Sequence, residues 1–241
     1  MVNQMKRVAV IGWCLTVWVV PSLAYDVTID TFGAFVNTGA IDSNFGVPNS
    51  ASDTGLVGVL GGSRDLLVQT DPLQLLVTSG VKLPGILDYM SIGTGFSEVT
   101  YTGGTAGLGA SIACAEAVEV VYFNADDAAQ GLEGGGAVLI ALTLTGGASV
   151  TQSQAVTGAA ATLSFPLADF AGVDLQNLTS IALRIDGSNS DSADLAVDSI
   201  QAVGCEAPPA PAPSMGMVPL ALSTLMLVGL GMLGMKRRRN T

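Results

Sequence analysis

Histidine is missing from all 241 residues. Its absence removes the usual general base near neutral pH, the serine and cysteine triads built on imidazole, and imidazole metal sites. Positive charge is almost as scarce. Lys and Arg total nine against 20 Asp and Glu, and six of the nine (Lys6, Arg7, Lys236, Arg237, Arg238 and Arg239) lie at the two ends. Every acid falls between Asp26 and Glu206, where the cations are Arg64, Lys82 and Arg184, so that stretch carries 3 − 20 = −17. A surface of this sign repels nucleic acid and anionic lipid, which excludes both as ligands. Tryptophan is confined to Trp13 and Trp18. Lys and Glu, the residues that soluble helices favour on their exposed faces, are nearly absent from the middle of the chain. That argues for an all-β domain.

What is present begins with two apolar ends. Met215 to Met235 is 21 residues without a charge, and Lys236, Arg237, Arg238 and Arg239 follow at once. A run of about 20 apolar residues matches the hydrocarbon thickness of a bilayer when coiled as a helix. A basic flank stays on the cytoplasmic side, so residues before Met215 are expected outside. The N-terminus agrees. Lys6 and Arg7 precede the apolar stretch Val8 to Val20, and Pro21-Ser22-Leu23-Ala24 offers small residues for cleavage, the three parts of a secretory signal peptide. The apolar core is too short to span comfortably, so cleavage is expected after Ala24. Cys14 lies inside that core behind the bulky Trp13, which excludes a lipoprotein site. The expected organisation is a signal peptide (1–24), a β domain (25–206), a Pro-rich linker (207–214), a single transmembrane helix (215–235) and a basic cytoplasmic tail (236–241).

The β domain is long enough for its own core. Val27 to Phe32 alternates apolar and polar, the period of a half-buried strand. Gly33 to Ser52 reads as loop. Further strands are expected at Arg64–Thr70, Leu73–Thr78, Met90–Ile92, Glu98–Thr102, Ser111–Cys114, Val118–Phe123, Ala137–Thr145, Ala148–Val156, Thr162–Leu167, Ile181–Ile185 and Leu195–Val203. Asn124 to Gly136 is a polar, Gly-rich surface loop, and Ala168-Asp169-Phe170 starts a short helical turn. Ala137–Thr145 is the most apolar strand and is expected at the centre of a sheet. About ten to twelve strands with regular turn signals predict a two-sheet antiparallel sandwich.

Three features invite a chemical reading. Arg64 follows Gly61-Gly62 and is expected to pair with Asp65 or with an acid on a neighbouring strand. The loop Asp186-Gly187-Ser188-Asn189-Ser190-Asp191-Ser192-Ala193-Asp194, followed by Asp198, is dense in the oxygen donors that calcium requires. It lacks the EF-hand spacing and closing Glu, and the same residues are ordinary turn formers. Cys114 and Cys205 are the two cysteines left after loss of the signal peptide. Export places them in an oxidising compartment, so a disulfide is expected between them.

Two resemblances add to this. The Pro-rich lead-in Ala207 to Pro213, the Gly- and Leu-rich span and the terminal Arg cluster resemble the PEP-CTERM sorting signals of exported proteins in Gram-negative bacteria. Pro-Glu-Pro itself is absent; Pro211-Ala212-Pro213 and Val218-Pro219-Leu220 stand nearby. The resemblance implies processing by an exosortase-type transpeptidase with Pro211, Pro213, Pro219 and Lys236 to Arg239 as the signal, after passage through the inner membrane. A plain single-span anchor shares the same layout. Secondly, Ile29-Asp30-Thr31-Phe32, Leu60 to Leu66, Leu163 to Phe170, Ser180 to Gly187 and Asp194 to Ile200 follow one another in an order that looks like exported jelly-roll domains, similar in layout to carbohydrate-binding jelly rolls. That resemblance implies a jelly roll, binding of extracellular polysaccharide, and a structural calcium joining the first and last strands through Asp30 and Asp198. The stacking aromatics expected of a sugar platform are scarce: the domain has no Trp, and its tyrosines, apart from terminal Tyr25, are Tyr89, Tyr101 and Tyr122. Three functions stay open: a structural or adhesive protein of the cell surface or matrix, a glycan-binding module with the same display, and a glycosidase using two carboxylates. No acid pair stands out for the last, and the expectation is a protein that is not an enzyme.

Overall fold

A computed structural model describes residues 24–34, 37–103, 107–109, 111–125, 137–190 and 192–206. The expected signal peptide, Pro-rich linker, transmembrane helix and basic tail, with their sorting residues Pro211, Pro213, Pro219 and Lys236 to Arg239, lie outside the described residues. Ala24, the residue before the expected cleavage point, opens the first strand.

Thirteen strands follow in order: β1 (Ala24–Asp30), β2 (Ile41–Ser43), β3 (Asn49–Thr54), β4 (Ser63–Thr70), β5 (Leu76–Lys82), β6 (Ile86–Ile92), β7 (Gly95–Thr102), β8 (Ala117–Phe123), β9 (Leu139–Gly146), β10 (Ala148–Ala155), β11 (Ala161–Pro166), β12 (Ser180–Asp186) and β13 (Ser192–Glu206). They form two antiparallel sheets. One runs β11-β8-β13-β6-β5-β2, with β1 also paired to β13; the other runs β10-β9-β12-β7-β4-β3. This is the expected all-β antiparallel sandwich, with chain crossings from sheet to sheet in the manner of a jelly roll. The helical segments described are 3-10 turns, Leu60–Gly62 and Leu167–Asp169, the second at the place expected.

The alternating pattern explains the two-sidedness. On β9, Ile140, Leu142 and Leu144 are fully buried while Leu139, Ala141 and Thr143 are half-exposed. β7 and β12 repeat this with Val99 and Tyr101, and with Ile181, Leu183 and Ile185. A pleated strand sends successive side chains to opposite faces, so the inward sets of both sheets meet in one core.

Four expectations need correction. Gly33 to Ser52 is not all loop, because β2 and β3 fall within or begin in it; their Asn and Ser content hid them. Ser111–Cys114 is a turn closed by Ala115 N–H donating to the Ile112 carbonyl (2.9 Å). β9 is second from the edge rather than central, covered on that side by β10. Arg64 pairs neither with Asp65 nor along its own sheet. It reaches across the sandwich from β4 to Asp30 on β1, where Nε and Nη2 donate to both carboxylate oxygens at 2.8 and 3.0 Å. Nη1 donates to the Ala34 carbonyl and the Thr38 hydroxyl, both at 3.1 Å. The expected disulfide joins Cys114 to Cys205, with Cα atoms 4.8 Å apart.

Candidate functional site: a cleft where the last strand changes partner

β13 is 15 residues long, and no single neighbour follows it on one side. Its first half pairs with β6, from Ser192↔Ile92 to Val197↔Leu87; its second half pairs with β1, from Ile200↔Asp30 to Glu206↔Ala24. β8 lies along the other side. There the register slips between Val197↔Tyr122 and Ser199↔Val121, which leaves Asp198 as an extra residue. The slip is a β-bulge, a device that re-aims side chains. It switches the inward set from Leu195 and Val197 to Ile200 and Ala202, all buried.

Between the start of β6 and the end of β1 the sheet has no strand beside Asp198. An open cleft of about 620 Å³ occupies the gap, walled by Phe123, Asp198, Ser199 and Gln201 from the sheet, Thr31 from the end of β1, and Pro84 to Ile86 from the β5–β6 turn. Gly85 sets the rim. Its φ is +137°, and a Cβ there would sit 3.1 Å from the Thr31 carbonyl oxygen. A larger residue would be strained and would press the turn away from β1.

The wall chemistry is mixed. Phe123 presents a half-exposed ring, Asp198 an exposed carboxylate, Gln201 a half-exposed amide. An apolar ring beside a carboxylate and an amide suits a ligand that has a C–H face and a rim of hydroxyls. The carboxylate accepts from hydroxyls, the amide both donates and accepts, and the ring covers the C–H face. A second depression of about 330 Å³, lined by Asp88, Met90, Asn124, Asp194 and Leu195, lies further along β13.

The other outward face offers its aromatic differently. On β7 Phe96 is covered by the Arg184 guanidinium, whose Cζ stands 3.5 Å from the ring centroid. Arg184 is held by Asp186, with Nη2 2.9 Å from Oδ2. Burial alone would raise the Asp186 carboxyl, but the hydrogen bonds from Ser188 and the charge of Arg184 outweigh it and hold it below the usual 3.8. That ring is therefore already stacked, whereas Phe123 has no such cover among the described residues.

Among the described residues the sequence-predicted calcium donors do not converge. Asp30 is buried against Arg64 and points into the sandwich; Asp198, its expected partner, is exposed on the outer face. Asp186 is engaged by Arg184, Asn189 is exposed in the turn beyond β12, Asp194 is exposed on β13, and Asp191 lies outside the described residues. Among the described residues no group of three His, Cys, Asp or Glu side chains gathers as a metal site. Tyr89, Tyr101 and Tyr122 are all buried, at 0, 0 and 1% exposure, so none forms a platform. Phe123, Ser199 and Gln201 were not singled out from the sequence. The signal for them was the change of parity in Leu195-Ala196-Val197-Asp198-Ser199-Ile200-Gln201-Ala202, where the apolar positions move from odd to even.

The described domain is thus a two-sheet jelly-roll sandwich with an open amphipathic cleft on one outer face. No family model matches the chain, and no curated protein sequence matches it. Structures it is similar to include carbohydrate-binding modules. A family 11 module of the cellulosomal cellulase Lic26A-Cel5E of Clostridium thermocellum is matched at 13% identity and TM-score 0.41, over 78% of this chain and 100% of that one. The CBM22-1-GH10 modules of a Clostridium thermocellum xylanase 10B, complexed with xylohexaose, are matched at 11% identity and TM-score 0.34, over 73% of this chain and 28% of that one. TmCBM61, in complex with β-1,4-galactotriose, is matched at 12% identity and TM-score 0.31, over 68% and 91% of the two chains. No residue role is carried over from any of them.

Proposed function

We propose that residues 25–206 are an exported, non-catalytic module that binds an extracellular polysaccharide in the cleft beside Asp198, and that the C-terminal segment displays it at the cell surface. The observation that carries the reading is the uncovered Phe123 ring set with Asp198 and Gln201 around an open cleft of about 620 Å³. Charge narrows the ligand. A domain with 20 acids and three bases repels polyuronates and sulfated glycans, so the substrate class is a neutral or amino-sugar chain. Binding a matrix polysaccharide from the surface makes the protein adhesive, so the structural reading and the glycan reading describe one activity. Export is supported by the Lys6-Arg7 start followed by the Val8–Val20 core, and display by Met215–Met235 with its four following cations.

The test is gel retardation of the mature protein by neutral, amino-sugar and uronate polysaccharides, with Phe123→Leu and Gln201→Ala alongside. Phe123→Leu keeps apolar volume but loses the flat ring. Stacking of a nucleic-acid base on an aromatic side chain is worth on the order of 1–3 kcal/mol; a sugar face stacked on the Phe123 ring at that order predicts retardation weakened roughly tenfold while the melting temperature holds. Retardation equal to wild type in both variants removes the cleft from the function. Release of reducing ends during incubation replaces binding with hydrolysis.

A further inference from the structure

Each sheet ends in strands whose outer backbone groups have no strand partner, and such edges invite pairing with another chain unless they are blunted. β1, which pairs with β13 alone, is a further edge and carries the exposed charge of Asp26. Of the four strands that end the two sheets, three are blunted by side-chain amides. Asn49 Nδ2 donates to the Asp42 carbonyl on β2 (3.0 Å), Asn37 Nδ2 to the Ser52 carbonyl on β3 (3.1 Å), and Gln154 Nε2 to the Ser164 carbonyl on β11 (2.6 Å). β2 is also only three residues long, and β11 ends at Pro166. β10 differs. It is eight residues long, all exposed or half-exposed, and pairs with β9 alone. Its glutamines turn inward, Gln152 Nε2 donating to the Asp169 carbonyl (2.9 Å) and Gln154 to β11. Among the described residues nothing bonds its outer backbone edge.

Charge marks the same edge. No charged residue lies between Glu133 and Asp169, a stretch that contains β9, β10 and β11, in a chain with 20 acids. Two copies carrying −17 each repel everywhere but at a rim without charge. We propose that β10 pairs antiparallel with β10 of a second copy and joins two six-stranded sheets into one across a two-fold axis. A second copy fits better than a charged partner, because an uncharged edge offers nothing for charge complementarity. A two-fold contact needs a self-complementary surface, and β10 supplies one. Ser149 and Ser153 flank Thr151 on the outer face, where Thr151 already meets the Thr143 hydroxyl at 2.8 Å, so an axis near Thr151 sets serine against serine.

The test uses the full-length protein extracted in a non-ionic detergent. Its protein mass by light scattering is expected to be twice that of one chain, and to fall to one chain in the double variant Thr151→Lys/Ser153→Lys with its melting curve unchanged. Single cysteines at Ser149→Cys, Thr151→Cys and Ser153→Cys are expected to give a covalent dimer on mild oxidation, strongest at the position nearest the axis, where directly opposed Cβ atoms come within about 5 Å. Ser52→Cys on the blunted β3 edge should give none. A single-chain mass for the wild type, a dimer that survives the lysines, equal cross-linking at Ser52→Cys, or another protein's strand found on the edge overturns the proposal. Glycan binding is read separately, so loss of either activity leaves the other measurable.

Discussion

Arg64 and Asp30 are both hidden by the sandwich, at 0% exposure each. Their bidentate contact ties the two sheets together, and it also shapes the chain end of β1. Asp30 Oδ1 accepts the Phe32 N–H at 2.6 Å, and Phe32 holds a left-handed φ of 51° with its ring 5.4 Å from the Arg64 guanidinium. A short-range carboxylate bond of this kind stabilises a turn that a bulky residue otherwise avoids. Removing one member of a buried pair leaves the other charge without compensation, at a cost of about 3–5 kcal/mol. Arg64→Met is therefore expected to lower unfolding free energy by that amount in urea titration. Asp30→Asn/Arg64→Met should recover part of it, since Asn still accepts the Phe32 N–H and carries no charge. Equal losses in single and double variants would mean that the ion pair is not what the site depends on. Arg64 was conspicuous in the sequence as an isolated cation. Its partner was not, because 34 residues separate them and the meeting depends on how the sheets stack.

The elements that matter most are β13 and the turn before β8. β13 is held on three fronts: β6 and β1 along one side, β8 along the other, and the Cys114–Cys205 bond near its end. Glu116 N–H also donates to the Val203 carbonyl at 2.8 Å, so the disulfide reinforces a junction that the backbone already makes. The cysteines are 91 residues apart, and closing a loop of that length restricts the unfolded chain by about 4–5 kcal/mol in the chain-entropy model. Cys114→Ala/Cys205→Ala is expected to lose up to that much stability in denaturant titration, while far-UV circular dichroism of the folded state stays that of a β protein. A variant as stable as wild type would show that the strand contacts alone secure the end of β13. The pairing was legible because two cysteines remain once the expected signal peptide is set aside. The local shape around Cys114 was not, since Ser-Ile-Ala-Cys suits a strand by propensity and a turn by context.

At the scale of the whole molecule, an anionic β-sandwich is followed by an apolar run and four cations. The layout predicts that the segment Met215 to Met235 is removed during sorting and that the surface form ends near the Pro-rich stretch 207–214. Mass spectrometry of protein released from the cell surface reads the C-terminal residue directly; a form still carrying Thr241 identifies a retained single-span anchor. Composition and periodicity by themselves determined the all-β class, most strand positions and the disulfide pair, and they set the net negative charge. These properties are local or additive: alternation follows from the two-residue pleat, and charge is a sum over residues. Tertiary structure alone decided the rest. Asp30 was a calcium candidate by its place on the first strand, yet stacking of the sheets put Arg64 against it. Asp198 became part of a cleft because β6 starts and β1 ends beside the same stretch of β13. β10 became the open edge because the amides of Asn37, Asn49 and Gln154 cover the other three sheet-end strands and Asp26 charges the edge of β1. Each of these outcomes joins residues far apart in the chain through sheet order and register, which no local pattern encodes.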